Sequence, residues 1–239
     1  MKIIIPLAGY GSRFLDAGYE LPKPLIKIQD KSMIEVVLDN INMDGDYIFI
    51  CRKDHMIKYD LNMFFQKLKP GCTVISIDHV TEGAANTVLL AKKYIDNDDE
   101  LLIANSDQWV DWNSKHFLSF IHRKNADGCI LTFYASNPKW SFVKLDNHDH
   151  VIELAEKKVI SNIATTGIYY YKHGRFFVSA AENMIKKNIR INNEYYVAPT
   201  YNELILENKK ILVYPVAEMC GLGTPEDLDV FLKQTKFKI

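Results

Sequence analysis

Cysteine is sparse and scattered in this chain. Cys51, Cys72, Cys129 and Cys220 include no Cys-x-x-Cys pair, and no histidine stands at zinc-ligand spacing from them, which argues against a structural zinc site. Buried or half-buried free thiols in a reducing compartment are expected instead. An excess of charge of one sign is missing too: Lys+Arg number 29 against Asp+Glu 30. Nothing global therefore suggests a polyanion-binding surface or a basic membrane face, and neither nucleic acid nor a membrane is an expected partner. Long apolar runs are also absent. The stretch Met1-Lys2-Ile3-Ile4-Ile5-Pro6-Leu7-Ala8-Gly9 is shorter than a signal-peptide core, and no later stretch approaches bilayer-spanning length. A soluble, cytoplasmic protein is the expectation.

No repeat, low-complexity tract or Gly/Ser linker divides the sequence. At 239 residues and 48% hydrophobic, the chain can bury a substantial core, and a single domain over 1–239 fits better than two. Apolar, β-rich runs at 2–7, 46–51, 72–77 and 100–104 alternate with helical segments, the βαβα signature of a largely parallel sheet covered on both faces. Helices are predicted over 32–42 and 84–94, the first opened by Ser32 with Glu35 completing a capping box. From about 128 the strands come closer together, at 128–134, 141–146, 150–155 and 163–171, ahead of helices near 174–188 and 198–207. An α/β half over about 1–127 and a more β-rich half over about 128–239 are expected. The sequence leaves room for a homo-oligomer.

The strongest local feature is the first strand running into Leu7-Ala8-Gly9-Tyr10-Gly11-Ser12-Arg13-Phe14, followed by Pro22-Lys23-Pro24-Leu25. Two glycines let the backbone approach a ligand and aim N–H groups at phosphate oxygens. A loop at a strand end is also where open α/β sheets bind ligands. Arg13 and Lys23 would neutralise a triphosphate there. Taken alone, Gly-x-Gly also suits an ordinary tight turn. The dinucleotide fingerprint is excluded because Phe14 stands at its third glycine, and a Walker loop because Gly-Lys-Ser/Thr is missing.

Ala-Gly-x-Gly-x-Arg followed by Pro-Lys-Pro resembles the signature of the sugar-phosphate nucleotidyltransferases, and the likeness runs along essentially the whole chain. It implies a Rossmann-like, GT-A-like fold with a mixed, mostly parallel sheet flanked by helices. It further implies nucleotide binding by Leu7, Ala8, Gly9, Gly11, Ser12, Arg13 and Lys23. After strand 100–104 comes Asn105-Ser106-Asp107-Gln108. Asp107 can hold magnesium through oxygen, or cap a helix beginning near 113. It matches the family's metal-binding aspartate, so Arg13, Lys23 and Asp107 become the implied catalytic set, with Ser106 beside the nucleotide and Mg2+ as cofactor.

Near the end, Cys220-Gly221-Leu222-Gly223-Thr224-Pro225-Glu226-Asp227-Leu228 resembles the family's closing motif. That motif carries its second metal aspartate where Gly221 stands here. Either another carboxylate such as Glu218 or Asp111 completes the site, or the ion relies on Asp107, substrate oxygens and water. Thr224 and Pro225 read equally as N-cap and first residue of a terminal helix through Leu228, Phe231 and Leu232.

Thr81-Glu82-Gly83-Ala84-Ala85-Asn86-Thr87 resembles the family's base-recognition loop, with Thr81 and Ala84 departing from its usual residues. Thr81, Gly83 and Ala84 are the implied base contacts. For the acceptor, the resemblance implies Glu156 and Lys157, Gly167 in its Thr-Gly-Ile-Tyr run, and Glu194. Glu156-Lys157-Lys158 could otherwise be a solvated charge cluster, and Tyr195 and Tyr196 could be core. Trp109, Trp112 and Trp140 are expected to be packing.

The implied reaction is attack by an acceptor phosphate oxygen on the α-phosphorus of a nucleoside triphosphate, with pyrophosphate leaving. The phosphate dianion needs no general base, its second pKa being about 6, and none of the seven histidines has an assignable partner. The acceptor would be a phosphorylated sugar, polyol or other small phospho-metabolite, serving capsule or other cell-surface polysaccharide synthesis. The compact chain leans toward CTP. Two alternatives are a nucleotide-binding sensor without chemistry, motivated by Gly221, and a glycosyltransferase of related architecture. Glycosyltransferases often carry Asp-x-Asp, whereas this chain reads Asp107-Gln108-Trp109.

Overall fold

The computed structural model describes residues 1–234, so the last five residues of the expected 1–239 domain lie outside the described residues. In chain order the first half holds β1 (Lys2–Pro6), α1 (Ser12–Asp16), β2 (Lys27–Ile28), β3 (Lys31–Ser32), α2 (Met33–Ile41), β4 (Asp46–Arg52), α3 (Lys53–Lys58), α4 (Leu61–Leu68) and β5 (Thr73–Ile77). It continues with α5 (Ala84–Leu89), α6 (Lys92–Ile95), β6 (Leu101–Ala104), β7 (Gln108–Val110) and α7 (Ser114–Lys124). The second half holds β8 (Gly128–Tyr134), β9 (Ser141–Leu145), β10 (Val151–Glu156), β11 (Ile163–Tyr171), α8 (Gly174–Lys186), α9 (Thr200–Leu206), β12 (Ile211–Pro215), β13 (Met219–Gly221) and α10 (Pro225–Lys233).

Alternation along the strands builds two cores. Ile3 and Ile5 of β1 enter one with Val37 of α2, Phe65 of α4, Phe117 of α7 and Phe231 of α10. Ile4 enters the other, against Val88 of α5, Phe177 of α8 and Leu204 of α9. Ser32 closes the expected capping box on α2: Glu35 N–H donates to its hydroxyl at 3.4 Å, and its own N–H donates to Glu35 Oε2 at 2.7 Å. The helix expected over 84–94 is instead broken between α5 and α6. Leu90 and Ala91 N–H turn to the carbonyls three residues back, tightening the chain out of α-helical register.

The main sheet runs β10-β9-β11-β6-β1-β4-β5, with β8 beside β11 and β12 beside β8. β5, β4, β1 and β6 are parallel neighbours, and β11 joins β6 antiparallel. The sheet is mixed: only β10 and β11 oppose the common direction. The chain leaves β1 for β4 and β5 on one side, then returns for β6 on the other. That reversal is a topological switch point between β1 and β6, where loops leaving the two carboxyl ends diverge and open a crevice. A register shift in β11 between Thr165 and Tyr169 widens it, turning the backbone of Gly167 (φ +91) toward Asn105, whose N–H donates to the Gly167 carbonyl at 2.9 Å.

Candidate functional site

A cavity of about 560 Å³ fills this crevice. Its floor comes from the carboxyl end of β1, where Leu7, Ala8, Gly9, Gly11, Ser12 and Arg13 line the wall, and from Ser106 and Asp107 after β6. Gly11 has φ +64, a left-handed conformation that suits glycine, and a Cβ there would sit 3.4 Å from Lys23 Cβ. At Gly9 a Cβ would meet nothing within 4 Å, so the space beside it is open to a ligand. Lys23 Nζ donates to Asp107 Oδ2 at 2.9 Å, both side chains about three-quarters buried at 24% and 26% exposure. The helix cap role open to Asp107 is taken by Asn113, whose side chain accepts from His116 N–H at 2.9 Å.

Thr81, Gly83 and Ala84 line one side of the cavity. The Thr81 hydroxyl is already engaged inside its own loop, 3.0 Å from the Gly83 carbonyl and 2.6 Å from Thr87 Oγ1. It shapes the loop, which presents backbone and small side chains to the cavity. The loop is clipped to the second half of the chain: Tyr195 N–H donates to the Glu82 carbonyl at 2.7 Å, and Ala85 N–H to the Tyr195 carbonyl at 3.0 Å.

On the opposite side Glu156, Lys157, Gly167 and Glu194 line the same cavity. Burial pushes the Glu156 carboxyl above its ordinary pKa, countered by a short hydrogen bond from the Ser141 hydroxyl and by the charge of Lys157. The solvated-cluster reading of this segment therefore fails at Glu156, while Lys157 and Lys158 are exposed. Lys157 Nζ donates to the Tyr196 hydroxyl at 2.5 Å and lies 4.7 Å from the ring centroid. Burial, then Glu194 alongside, push the Tyr196 phenol up, keeping it a proton donor. Tyr195 is core, 2% exposed, whereas Tyr196 lines the cavity. Gln108 Oε1 and Thr166 Oγ1 are buried without a hydrogen-bond partner among the described residues, and both residues line the cavity, so polar groups of a ligand can satisfy them.

Every residue that the family resemblance assigned to substrate or metal lines this one cavity, whereas Asp111 and Glu218, offered as replacements at the metal, do not. No histidine lines it. Lys139, Trp140 and Asp227 also line it, and the sequence did not single them out for a ligand. Trp109 and Trp112 pack on the core as expected, but Trp140 does not follow them, and its ring faces the cavity with Lys139 Nζ 4.6 Å from the centroid. Lys139 Nζ pairs with Asp227 at 2.9 Å, across 88 residues of sequence. The carboxylates considered for completing a metal site, Asp111 and Glu218, are absent from the lining, and Asp111 N–H donates to the Glu218 carbonyl at 2.8 Å.

Sheet order, switch-point crevice and lysine–aspartate pair define an α/β protein with one ligand cleft over the carboxyl ends of parallel strands. The chain belongs to the nucleotidyl transferase family, whose description matches residues 2–218. It is 26% identical over 215 residues to the bifunctional protein GlmU of Methanocaldococcus jannaschii, covering 87% of this chain and 48% of that protein. It is 26% identical over 189 residues to a mannose-1-phosphate guanyltransferase of Aspergillus oryzae, covering 71% and 49%. The chain thus spans about half the length of these curated relatives. The crystal structure of a nucleoside-diphosphate-sugar pyrophosphorylase from Vibrio cholerae superposes with a TM-score of 0.81 at 26% identity, covering 97% of this chain and 100% of that one.

Proposed function

We propose that the protein transfers a nucleoside monophosphate from a nucleoside triphosphate to a phosphorylated small molecule and releases pyrophosphate. The observation that carries this is the convergence on one cavity of the Gly9–Arg13 loop, the Lys23–Asp107 pair and the Glu156, Lys157 and Glu194 wall. A nonbridging oxygen of the acceptor phosphate attacks the α-phosphorus. The bond from that phosphorus to the α–β bridging oxygen breaks, and the electron pair leaves with pyrophosphate. Because the acceptor dianion is already nucleophilic, catalysis consists of positioning and charge neutralisation. Arg13, which makes no ion pair among the described residues, and Lys23 face the triphosphate. Glu156, the Tyr196 phenol and Gln108 and Thr166 offer hydrogen bonds to acceptor hydroxyls, and Lys157 a charge to its phosphate.

Magnesium suits the donor set. Asp107 presents a hard carboxylate oxygen to the cavity, and no group of three or more metal-binding side chains exists among the described residues. That fits an ion which usually keeps waters and substrate oxygens as ligands. Bound there, it would supply further charge neutralisation at the triphosphate. The finer parts of the proposal are a sugar or polyol phosphate as acceptor, CTP as the first donor to try, and a cytoplasmic role in cell-surface polysaccharide precursor synthesis. No helix among the described residues is long and apolar enough to cross a membrane.

Pyrophosphate release is the direct test, with each of the four common nucleoside triphosphates against a panel of phosphorylated sugars, polyols and amino alcohols. Lys23→Ala and Asp107→Ala are expected to abolish turnover in a folded protein. Silence of the wild type across the panel, with magnesium present, removes the proposal.

A further inference from the structure

A second carboxylate, Asp227, lines the cavity with Asp107 beside the glycines of one short stretch. Gly221 has no side chain, and a Cβ there would lie 3.4 Å from Asp227 Oδ2 and 3.3 Å from the Trp140 ring. Two residues on, a Cβ at Gly223 would lie 2.7 Å from Asp107 Oδ2. Gly221-Leu222-Gly223 therefore has a carboxylate oxygen against each of its two glycines, and the missing side chains are what let both oxygens stand there. The stretch is held in place from the β6 side: Gly221 pairs with Gln108, and Leu222 N–H donates to the Asp107 carbonyl at 2.7 Å. Asp227 arrives from the first turn of α10, whose geometry is fixed by its own N–H donating to the Thr224 hydroxyl at 3.1 Å.

Each carboxylate already binds a cation. Lys23 sits on Asp107 and Lys139 on Asp227, both at 2.9 Å, and both aspartate side chains are 26% exposed. All four residues line the cavity. On the reading of this cavity as a nucleotidyl-transfer site, we propose that Asp227 is the second protein carboxylate for the divalent cation. It stands in for the side chain Gly221 lacks, and Lys139 is the ammonium it exchanges for the ion.

Three features support this. An ammonium and a divalent ion compete for the same carboxylate lone pairs, so an ion-paired aspartate at a cavity wall is also a cation ligand held in reserve. Lys139 Nζ already lies 4.6 Å from the Trp140 ring centroid, and that face keeps the charge at the cavity when Asp227 releases it. The rival carboxylates Asp111 and Glu218 do not line the cavity.

The test is Mn2+ binding to the full chain, read from the free-ion signal in electron paramagnetic resonance, with and without each nucleoside triphosphate. Asp227→Asn and Asp107→Asn should each weaken binding about tenfold or more, while Asp111→Asn and Glu218→Gln leave it unchanged. Lys139→Met removes the competing ammonium and should tighten Mn2+ binding to the nucleotide-free protein. Opposite signs at the two ends of one ion pair distinguish exchange from a structural contact, which both substitutions would weaken alike. The double variant Gly221→Asp/Asp227→Asn, returning a carboxylate from the strand itself, should recover binding. Wild-type Mn2+ affinity in Asp227→Asn, or loss in Lys139→Met, overturns the proposal while leaving wild-type pyrophosphate release intact. Failure of the nucleotidyl-transfer reading would instead show as no release and no nucleotide-enhanced Mn2+ binding in the wild type.

Discussion

Glu156 is an ionisable group in conflict with its surroundings. Burial raises its pKa above the ordinary carboxylate range, and the Ser141 hydroxyl and Lys157 only partly offset that. A carboxyl whose folded pKa lies above its unfolded one costs nothing when both states are protonated. The cost appears as pH rises through the folded value and the buried group ionises. Glu156→Gln keeps an oxygen for Ser141 and removes the ionisation. Its Tm should match the wild type near about pH 4 and exceed it increasingly toward about pH 8. Groups that do not interact with Glu156 titrate alike in both proteins, so a Tm difference that stays flat with pH would show that desolvation does not raise the Glu156 carboxyl. The residue's place on the cavity wall was legible only through a family likeness, because a Glu-Lys-Lys run looks solvated until Ser141, from a neighbouring strand, is seen to cover it. Asp227 was not legible at all. Its partner Lys139 lies 88 residues away, and from sequence it reads as an ordinary acidic residue in the first turn of a capped helix.

Among elements, the loop between β5 and α5 does more than border a cavity. Gly83 has φ +124, and a Cβ there would fall 2.5 Å from both the backbone N and O of Tyr195. The two hydrogen bonds between Glu82, Ala85 and Tyr195 form only because that side chain is missing. Gly83→Ala should therefore cost about 1–3 kcal/mol in urea unfolding, and should raise KM for both substrates together, since Tyr195 lies between Glu194 and Tyr196. A KM effect confined to the nucleotide would separate the loop from the acceptor wall. The strands were readable as short, β-rich apolar runs and the long helices by a period near 3.6: β1, β4, β8 and β11 fall where those runs put them. β7 and β13 were not readable. Each is three residues long, too short for any period, and they form a ribbon only because the folded sheet brings residue 220 back beside residue 109. That ribbon sets the path of Gly221 to Gly223.

For the whole molecule, the division into a nucleotide half and an acceptor half describes ligands more than folding units. β11, from the second half, is the hydrogen-bonded neighbour of β6 from the first, matching Ile168 to Tyr171 against Ala104 to Leu101. Both cores draw on both halves: Phe231 shares one with Ile3, and Phe177 shares the other with Ile4. Leu101 to Ala104 are all fully buried, so a fragment ending near 127 would expose an apolar strand with one edge unpaired. We expect that fragment to aggregate, and the full chain to unfold in urea as one transition. Far-UV circular dichroism, which follows helices in both halves, and the fluorescence of Trp109, Trp112 and Trp140 should then trace coincident curves. Two separated transitions, or a soluble and cooperatively folded 1–127 fragment, would make the halves independent domains. In that case the backbone clip at Tyr195 and the Lys139–Asp227 pair would be contacts between docked units and could open without unfolding either. With one shared sheet they cannot, and the distance between the nucleotide wall and the acceptor wall is then set by the β6–β11 pairing itself.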